Sequence, residues 1–281
     1  MRYWASAFVT AAVMVGVSAC GGQVVVVPPE TDSPYDPPPT TPANPPGPPS
    51  EDPAPPAPVL PTSGSLPANT CVAFLYGSQL TLVGIDLATG SVTPGVKVQA
   101  EHSGPPPSSL AVVGDEVLYC DNSSTGRIVR VSRSDGSTTF INRQCSAIAA
   151  DASGIYLMQD VGGEIDKFAD VAALASNAKP VSVGKLHASR LGTSSQGILA
   201  AWHSAGEVLR FDGALALDGY DDWIDGLSGA PGNRVIVSSP RADGSKPGLV
   251  AFDATTGKNL GVVAKVPSTS PLPFGGLACG E

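Results

Sequence analysis

Short β-prone runs recur along this chain at intervals near 40 residues. Each repeat opens with a Leu or Ile followed by a small residue, and these pairs are separated by 38, 43, 36 and 50 residues: Leu110-Ala111, Ile148-Ala149, Leu191-Gly192, Leu227-Ser228 and Leu277-Ala278. After each of the first four come a tight turn and a more apolar run. Runs this short, rich in Val, Ile and Tyr and punctuated by Gly-Asp or Asp-Gly, are typical of β-meanders. A period near 40 with four strands per unit predicts the blades of a β-propeller.

The two ends of the repeat region supply one further unit. Residues 71–98 contain the later strands of a blade but no opening strand, whereas residues 275–279 form an opening strand with nothing after it. Joined, they complete one blade and close the ring, which protects it from edge pairing. We therefore predict an all-β fold, a five-bladed β-propeller closed by its N- and C-terminal strands. Six blades are the nearest alternative, if residues 160–186 contain extra strands, and a β-sandwich comes third.

One turn carries a recognisable motif. The segment Ala251-Phe-Asp253-Ala-Thr-Thr-Gly257-Lys258 has a weaker copy at Asp86-Leu-Ala-Thr-Gly90. It resembles the repeat signature of quinoprotein-like propellers, although the tryptophan that follows in that family is replaced here by Gly261. An aspartate can accept hydrogen bonds from turn amides, and a glycine adopts positive φ, which together build a tight hairpin. The resemblance implies the fold, and we predict no quinone or other cofactor.

The N-terminus has the pattern of an export signal. Arg2 precedes an apolar run from Ala5 to Val17 that is too short for a dependable membrane-spanning helix, and Val17-Ser-Ala-Cys20 follows at once. These four residues resemble the lipobox of bacterial lipoproteins, which implies a signal peptide at 1–19 and a diacylglyceryl group on Cys20. Gly21 in place of aspartate favours the outer membrane of the cell envelope. The alternative is an ordinary secretory signal cleaved near Ala19.

A proline-rich segment separates this signal from the repeats. Sixteen of the 28 prolines fall between Pro28 and Pro61. Because proline cannot contribute to a hydrogen-bonded ladder and few large apolar residues are present, the segment is predicted to be disordered and extended. At about 3.1 Å per residue it could hold the domain up to roughly 100 Å from a lipid surface. We assign residues 20–62 to a lipid-anchored linker and 63–281 to the propeller domain.

Charge and cysteine content restrict the partners further. The net charge is −9 and no basic stripe is present, so nucleic acid is not an expected partner. With Cys20 lipidated, four cysteines remain in an oxidising compartment. The propeller topology predicts the disulfides Cys71–Cys279 and Cys120–Cys145. No metal site is predicted, because no CxxC pair exists and the three histidines are dispersed.

A candidate binding face follows from the topology. Loops that link one blade to the next gather at one face of a propeller, around its channel, and aromatic, imidazole and carboxylate groups converge there. The predicted face comprises His102, His187, Trp202, His203, Tyr220, Asp222 and Trp223. Exposed aromatic residues beside charges are typical of recognition surfaces. The structural alternative is that Tyr220 and Trp223 pack the loop onto a blade edge and that the acidic residues form a solvated turn.

The sequence shows no catalytic motif, so we assign no catalytic residues and leave enzymatic activity open. We predict a cell-envelope lipoprotein that presents the propeller as a protein-binding or scaffolding module, with an unidentified envelope protein or glycan as partner. The alternative is a carbohydrate-binding or glycoside-cleaving propeller acting at the channel mouth. Glycoside cleavage needs two facing carboxylates about 5 to 9.5 Å apart, and the inner strands offer chiefly Asp115, Asp151 and Asp225. A purely structural envelope component is a third possibility.

Overall fold

A computed structural model describes residues 60–99, 107–121, 126–176, 178–202, 206–242, 246–268 and 272–281. Within these ranges the chain forms twenty strands and one short helix, and the strands make five separate four-stranded antiparallel sheets. The predicted signal peptide, the predicted linker up to residue 59, and the side chains of Cys20, His102 and His203 lie outside the described residues. Among the described residues, no helix has the length and hydrophobicity needed to cross a membrane.

Four of the five blades are built from four consecutive strands each, and the first strand of each blade is the inner one, packed against its counterparts in the neighbouring blades. In chain order these strands are β4 Leu110–Val113, β5 Glu116–Cys120, β6 Ile128–Ser132, β7 Thr138–Ile141, β8 Ala147–Asp151, β9 Gly154–Met158, β10 Glu164–Phe168, β11 Val181–Lys185, β12 Arg190–Ser194, β13 Gly197–Ala201, β14 Glu207–Arg210, β15 Gly213–Ala216, β16 Gly226–Ala230, β17 Arg234–Ser239, β18 Gly248–Asp253 and β19 Asn259–Lys265. The blades are numbered two to five in this order.

Blade one is shared between the two ends of the domain, as predicted. Its strands are, from inner to outer, β20 Gly275–Cys279, β1 Thr70–Leu75, β2 Thr81–Asp86 and β3 Val92–Lys97. Strand β20 pairs antiparallel with β1, and the pairing aligns Cys71 with Cys279 and Val72 with Ala278. The Cys71–Cys279 disulfide crosses this pair, and Cys120–Cys145 joins blades two and three. The five-bladed ring, its shared blade and both disulfides are therefore confirmed.

The irregular stretch at residues 160–186 does not form a sixth blade, so that alternative is wrong. It contains β10, β11 and the helix α1, Val171–Ala175, which the sequence analysis did not predict. Asp170 caps the helix by accepting a hydrogen bond from the backbone N–H of Ala173. Leu174 is fully buried in the apolar cluster between blades two and three. The helix thus replaces a tight turn and fills the space between two blades.

The turn motif holds neighbouring blades together. The carboxylate of Asp253 accepts hydrogen bonds from the N–H groups of Thr255 and Thr256, and Gly257 has φ of +72°. The carbonyl oxygen of Gly257 accepts a hydrogen bond from the N–H of Asp218 at 2.8 Å, which belongs to the loop after blade four. A Cβ atom on Gly257 would lie 1.8 Å from the carbonyl oxygen of Ala216. Glycine is therefore required both by the backbone conformation and by the contact between blades.

The same contact recurs in blade two. Gly136 has φ of +74°, and its carbonyl oxygen accepts a hydrogen bond from the N–H of Gln99 at 3.0 Å. A Cβ atom here would lie 2.0 Å from the carbonyl oxygen of Lys97 in β3. Each of these turns connects the third and fourth strands of one blade and docks on the outer strand of the preceding blade. The motif therefore serves as an interblade contact.

Hydrogen bonds also connect the inner strands. The hydroxyl of Ser109 accepts a hydrogen bond from the N–H of Ile148, and the hydroxyl of Thr193 donates to the carbonyl of Ala150. The hydroxyl of Ser228 accepts from the N–H of Cys279. These bonds link blades two and three, three and four, and five and one. Short polar side chains thus satisfy backbone groups that face the channel.

Candidate functional site

The strand order gives the ring two distinct faces. All inner strands run in one direction, so the loops that lead from one blade to the next share a face with the loops between second and third strands. We call this the loop face. The turns between first and second strands, and those between third and fourth strands, lie on the opposite face, which we call the turn face. Trp202, His187 and the segment 217–225 belong to the loop face.

Segment 217–225, between blades four and five, is held in place by Tyr220. The ring of Tyr220 meets that of Phe252 edge-on, with 5.5 Å between centroids. Its hydroxyl donates a hydrogen bond to the carbonyl oxygen of Trp223 at 2.5 Å. Burial raises the pKa of Tyr220 well above its ordinary value, a shift that the hydrogen bond with Ser239 opposes. The phenol therefore stays protonated and remains a donor to the loop backbone.

Asp222 fixes the same segment from its other side. Only 7% of this residue is exposed. Its carboxylate accepts hydrogen bonds from the hydroxyl of Ser239 at 3.0 Å and from Nη2 of Arg241 at 3.1 Å. Burial alone would raise the pKa of Asp222, but the hydrogen bonds from Arg241, the Trp223 backbone and Ser239 together lower it. Asp222 is thus an anchoring residue whose two oxygens are occupied within the chain.

A cavity of about 340 Å³ lies beside this segment. The residues that line it come from the segment itself, from the loop after β17 and from strands of blade five: Gly219, Tyr220, Asp221, Asp222, Arg241, Ala242, Val250 and Asn259. The Arg241 side chain is 61% exposed although it pairs with Asp222. The cavity therefore combines an aromatic wall with both signs of charge.

Trp223 projects from the fixed segment and is 55% exposed. Its neighbours in the sequence are buried: Asp222 is 7% exposed and Ile224 is 0% exposed. The arrangement presents one large aromatic side chain on a segment that is held by the hydrogen bonds of Tyr220 and Asp222. Tyr220 fits the predicted structural alternative, because it packs the loop onto Phe252. Asp222 is not the solvated turn residue of that alternative, since it is buried and anchors the loop. Trp223 is more exposed than a residue packed onto the blade edge would be.

The structure brings His187 and Trp202 together in a second place on the loop face. Their rings meet edge-on with 4.6 Å between centroids. Gly162 completes this contact, since a Cβ atom there would lie 2.7 Å from Nδ1 of His187, and its N–H donates to the carbonyl of Ala188. Trp202 is half-buried and His187 exposed. Three loops of blades three and four therefore meet at this aromatic pair.

The three candidate acids of the inner strands are divided between the two faces. Asp115 follows β4 and Asp151 ends β8, both on the turn face, whereas Asp225 precedes β16 on the loop face. The carboxylate of Asp151 accepts hydrogen bonds from Ser153 and from the hydroxyl of Tyr156. Asp225 is therefore separated from the other two acids by the length of the inner strands.

Asp225 has a partner of its own at the start of β16. Nη2 of Arg190 lies 3.9 Å from its carboxylate, and Nε of Arg190 donates to the carbonyl oxygen of Ile224 at 3.1 Å. The predicted face did not include this pair. Arg241 and Ser239 were missed as well, although the loop after β17 is on the loop face of any propeller built from these strands. In the described part of the chain, no group of three His, Cys, Asp or Glu residues could hold a metal ion.

Comparison with known protein families finds no matching model, and no curated protein matches the chain. Solved structures of propeller type do match. The nidogen/laminin complex shares 12% identity over 76% of this chain and 81% of the other, with a TM-score of 0.48. YCF48 bound to D1 peptide shares 13% over 77% and 70%, with a TM-score of 0.34. A catalytically inactive virginiamycin B lyase from Staphylococcus aureus with quinupristin shares 12% over 73% and 74%, with a TM-score of 0.39. At these values the likeness concerns the fold and says nothing about a ligand.

Proposed function

We propose that this protein is a cell-envelope lipoprotein whose propeller is a protein-binding or scaffolding module. Its contact surface comprises Trp223, which follows the cavity-lining Asp222, together with Arg241 and the cavity that Arg241 lines; we call it the Trp223 surface. The observation that carries the proposal is the exposure of Trp223 on a segment whose neighbouring residues are anchored by hydrogen bonds. The lipid on Cys20 and the proline-rich linker would hold this surface away from the membrane.

The composition and rigidity of the Trp223 surface support protein binding. Tryptophan and arginine are enriched among the residues that contribute most to protein interfaces. A side chain presented on an already ordered backbone loses less conformational freedom when a partner binds, so more of its contact energy contributes to affinity. The hydrogen bonds of Tyr220 and Asp222 provide that order.

A photo-cross-linking experiment in intact cells tests the contact surface. A photoreactive phenylalanine analogue replaces Trp223 in one variant and Phe211 in another. Phe211 is the matched control, since it is 48% exposed but lies in the turn between β14 and β15 on the turn face. We expect a discrete protein adduct from position 223 and none from position 211.

Substitution measures the contribution of the aromatic ring. For this comparison the photoreactive residue is moved to a second position on the loop face, so that position 223 can be varied. Trp223→Ala should then lower the recovery of the cross-linked partner by at least about tenfold, because central aromatic residues typically contribute 2 kcal/mol or more. Phe211→Ala should leave the recovery unchanged. Equal recovery from wild type and Trp223→Ala would show that this surface does not bind the partner.

Fractionation tests the anchor separately. Cys20→Ser removes the thiol that the lipobox resemblance assigns to lipidation, so the protein should move from the membrane fraction to the soluble fraction. Retention of the Cys20→Ser protein in membranes that have been washed with high salt would overturn the lipoprotein assignment while leaving the binding proposal open to its own test.

A further inference from the structure

The first described residues form a strap on the turn face, between blades one and two. We define the strap as residues 60–67. Leu60, which the sequence analysis assigned to the linker, is 5% exposed, and it packs against Gly84 of β2 in the same apolar cluster as Phe74 and Tyr119. Leu66 packs on this cluster as a half-buried residue. Packing therefore begins before the predicted boundary at residue 63.

A buried arginine lies beneath the strap. Arg133, in the turn after β6, is 0% exposed and is among the largest fully buried side chains of the described chain. Its Nη2 atom donates a hydrogen bond to the carbonyl oxygen of Gly64 at 2.9 Å. Its Nε and Nη1 atoms are buried and have no hydrogen-bond partner among the described residues. Burial lowers the pKa of Arg133, and the charge of Asp115 opposes that shift.

These two features act against each other. The burial of Leu60 favours a closed strap, because apolar surface is removed from water. The closed strap also keeps the guanidinium of Arg133 away from water, although its Nε and Nη1 atoms have no hydrogen-bond acceptors. Burying a charge in this way is unfavourable. Opening the strap would let water bond to those groups. Local opening of the strap would thus relieve a specific unfavourable interaction of Arg133.

The chain immediately after the strap is held much more firmly. Ala68 forms a parallel bridge with Gly280, and the N–H of Gly280 donates to the carbonyl of Thr70. Asn69 accepts a hydrogen bond from Nη2 of Arg234 at 2.6 Å. The Cys71–Cys279 disulfide follows directly. An opening that starts at residue 60 therefore meets a covalent stop at Cys71.

We propose that the strap is a latch that opens as a local unit, uncovers Arg133 and lengthens the linker, while the Cys71–Cys279 disulfide keeps the ring closed. Eight released residues add at most about 25 to 30 Å of chain. The latch accordingly gives the propeller two tether lengths without unfolding any blade. The two tether lengths rest on the lipid anchor of the proposed function, whereas the opening of the strap depends neither on that anchor nor on the Trp223 surface.

Arginine-specific labelling of the full-length protein tests the latch. The native protein is treated with phenylglyoxal, and labelling at Arg133 is followed by peptide mass spectrometry. Hydrogen exchange of β9, measured on the same samples, reports global opening, because every residue of Gly154–Met158 is buried. We expect Arg133 to be labelled at least about tenfold faster than β9 amides open. Equal rates would mean that Arg133 is uncovered only by global unfolding, and the latch would be refuted.

A variant pair checks which contact closes the latch. Leu60→Ala should speed labelling of Arg133 by at least about tenfold, since the lost apolar contact belongs to the strap. Exchange in β9 should speed up by no more than the same factor, because global unfolding breaks that contact as well. Leu260→Ala is the matched control, because Leu260 is 49% exposed on the outer strand of blade five, and it should change neither rate. Unchanged labelling of Arg133 in Leu60→Ala, or labelling of Arg133 that is no faster than the opening of β9 in that variant, would contradict the proposal. The wild-type comparison stands even if a variant fails to fold.

Discussion

Replacing Gly257 by alanine should test the interblade contact made by the turn motif. The added methyl group would lie 1.8 Å from the carbonyl oxygen of Ala216, which a Cβ atom cannot tolerate without a shift of the backbone. That shift would also break the 2.8 Å hydrogen bond from Asp218. The turn would have to move away from blade four, so the loss of stability should exceed the cost of the backbone conformation alone.

A matched glycine isolates this extra loss. Gly114 has φ of +61°, close to the +72° of Gly257, but nothing lies within 4 Å of the position that a Cβ atom would occupy. Gly114→Ala should therefore cost only the left-handed conformation, about 1–2 kcal/mol. Gly257→Ala adds about 1–3 kcal/mol for overpacking and about 0.5–1.5 kcal/mol for the lost hydrogen bond. The expected total for Gly257→Ala is about 3–6 kcal/mol.

Urea unfolding and calorimetry measure both variants. For a domain of this size, about 1 kcal/mol shifts the melting temperature by about 2–4 °C, so Gly257→Ala should melt about 6–24 °C below wild type and Gly114→Ala about 2–8 °C below. Equal losses in the two variants would refute the reasoning, because the two sites differ in the contact with the preceding blade and not in φ.

Two further predictions concern stability. Replacing both cysteines of the Cys71–Cys279 disulfide by alanine should lower the free energy of unfolding by about 5 kcal/mol, and the same change at Cys120–Cys145 should lower it by about 3–4 kcal/mol. The first loss is larger because the sequence separations are 208 and 25 residues. Urea unfolding that ranks the two variants in the opposite order would contradict this. The backbone N–H and hydroxyl of Thr256 hold the pKa of Asp253 below its ordinary value of 3.8. The free energy of unfolding should therefore fall as the pH drops below about 4, and Asp253→Asn should reduce that fall. An unchanged pH dependence of urea unfolding in Asp253→Asn would count against this contribution.

Much of the fold could be predicted because it depends on local patterns. Runs such as Val235-Ile-Val237 pair a β-prone composition with turns on both sides, and the period near 40 gives the blade count. The partnership of the two ends followed from an opening strand with no successor and a blade with no opening strand. Helix α1 was missed because five residues are too few to show helical periodicity, even though Asp170 before Val-Ala-Ala-Leu-Ala is a capping pattern.

The site was harder to predict because its contacts join distant parts of the chain. Asp222 has the appearance of a solvated turn acid in the sequence, and only its hydrogen bonds to Ser239 and Arg241 show that it is an anchor. Arg133 stands in a polar turn that looks exposed, and its burial depends on Gly64, 69 residues earlier. Such roles are decided by which loops the ring brings together, which no local pattern encodes.

The central structural claim is that the two ends of the domain share one blade, which fixes the loop face and the turn face of the ring. Disulfide mapping tests it most directly: the unreduced protein is digested at low pH, and its cross-linked peptides are identified by mass spectrometry. The closed ring predicts one peptide pair that joins Cys71 to Cys279 and another that joins Cys120 to Cys145. A pair joining Cys71 to Cys120 or Cys145, with Cys279 bonded elsewhere, would contradict the closed ring.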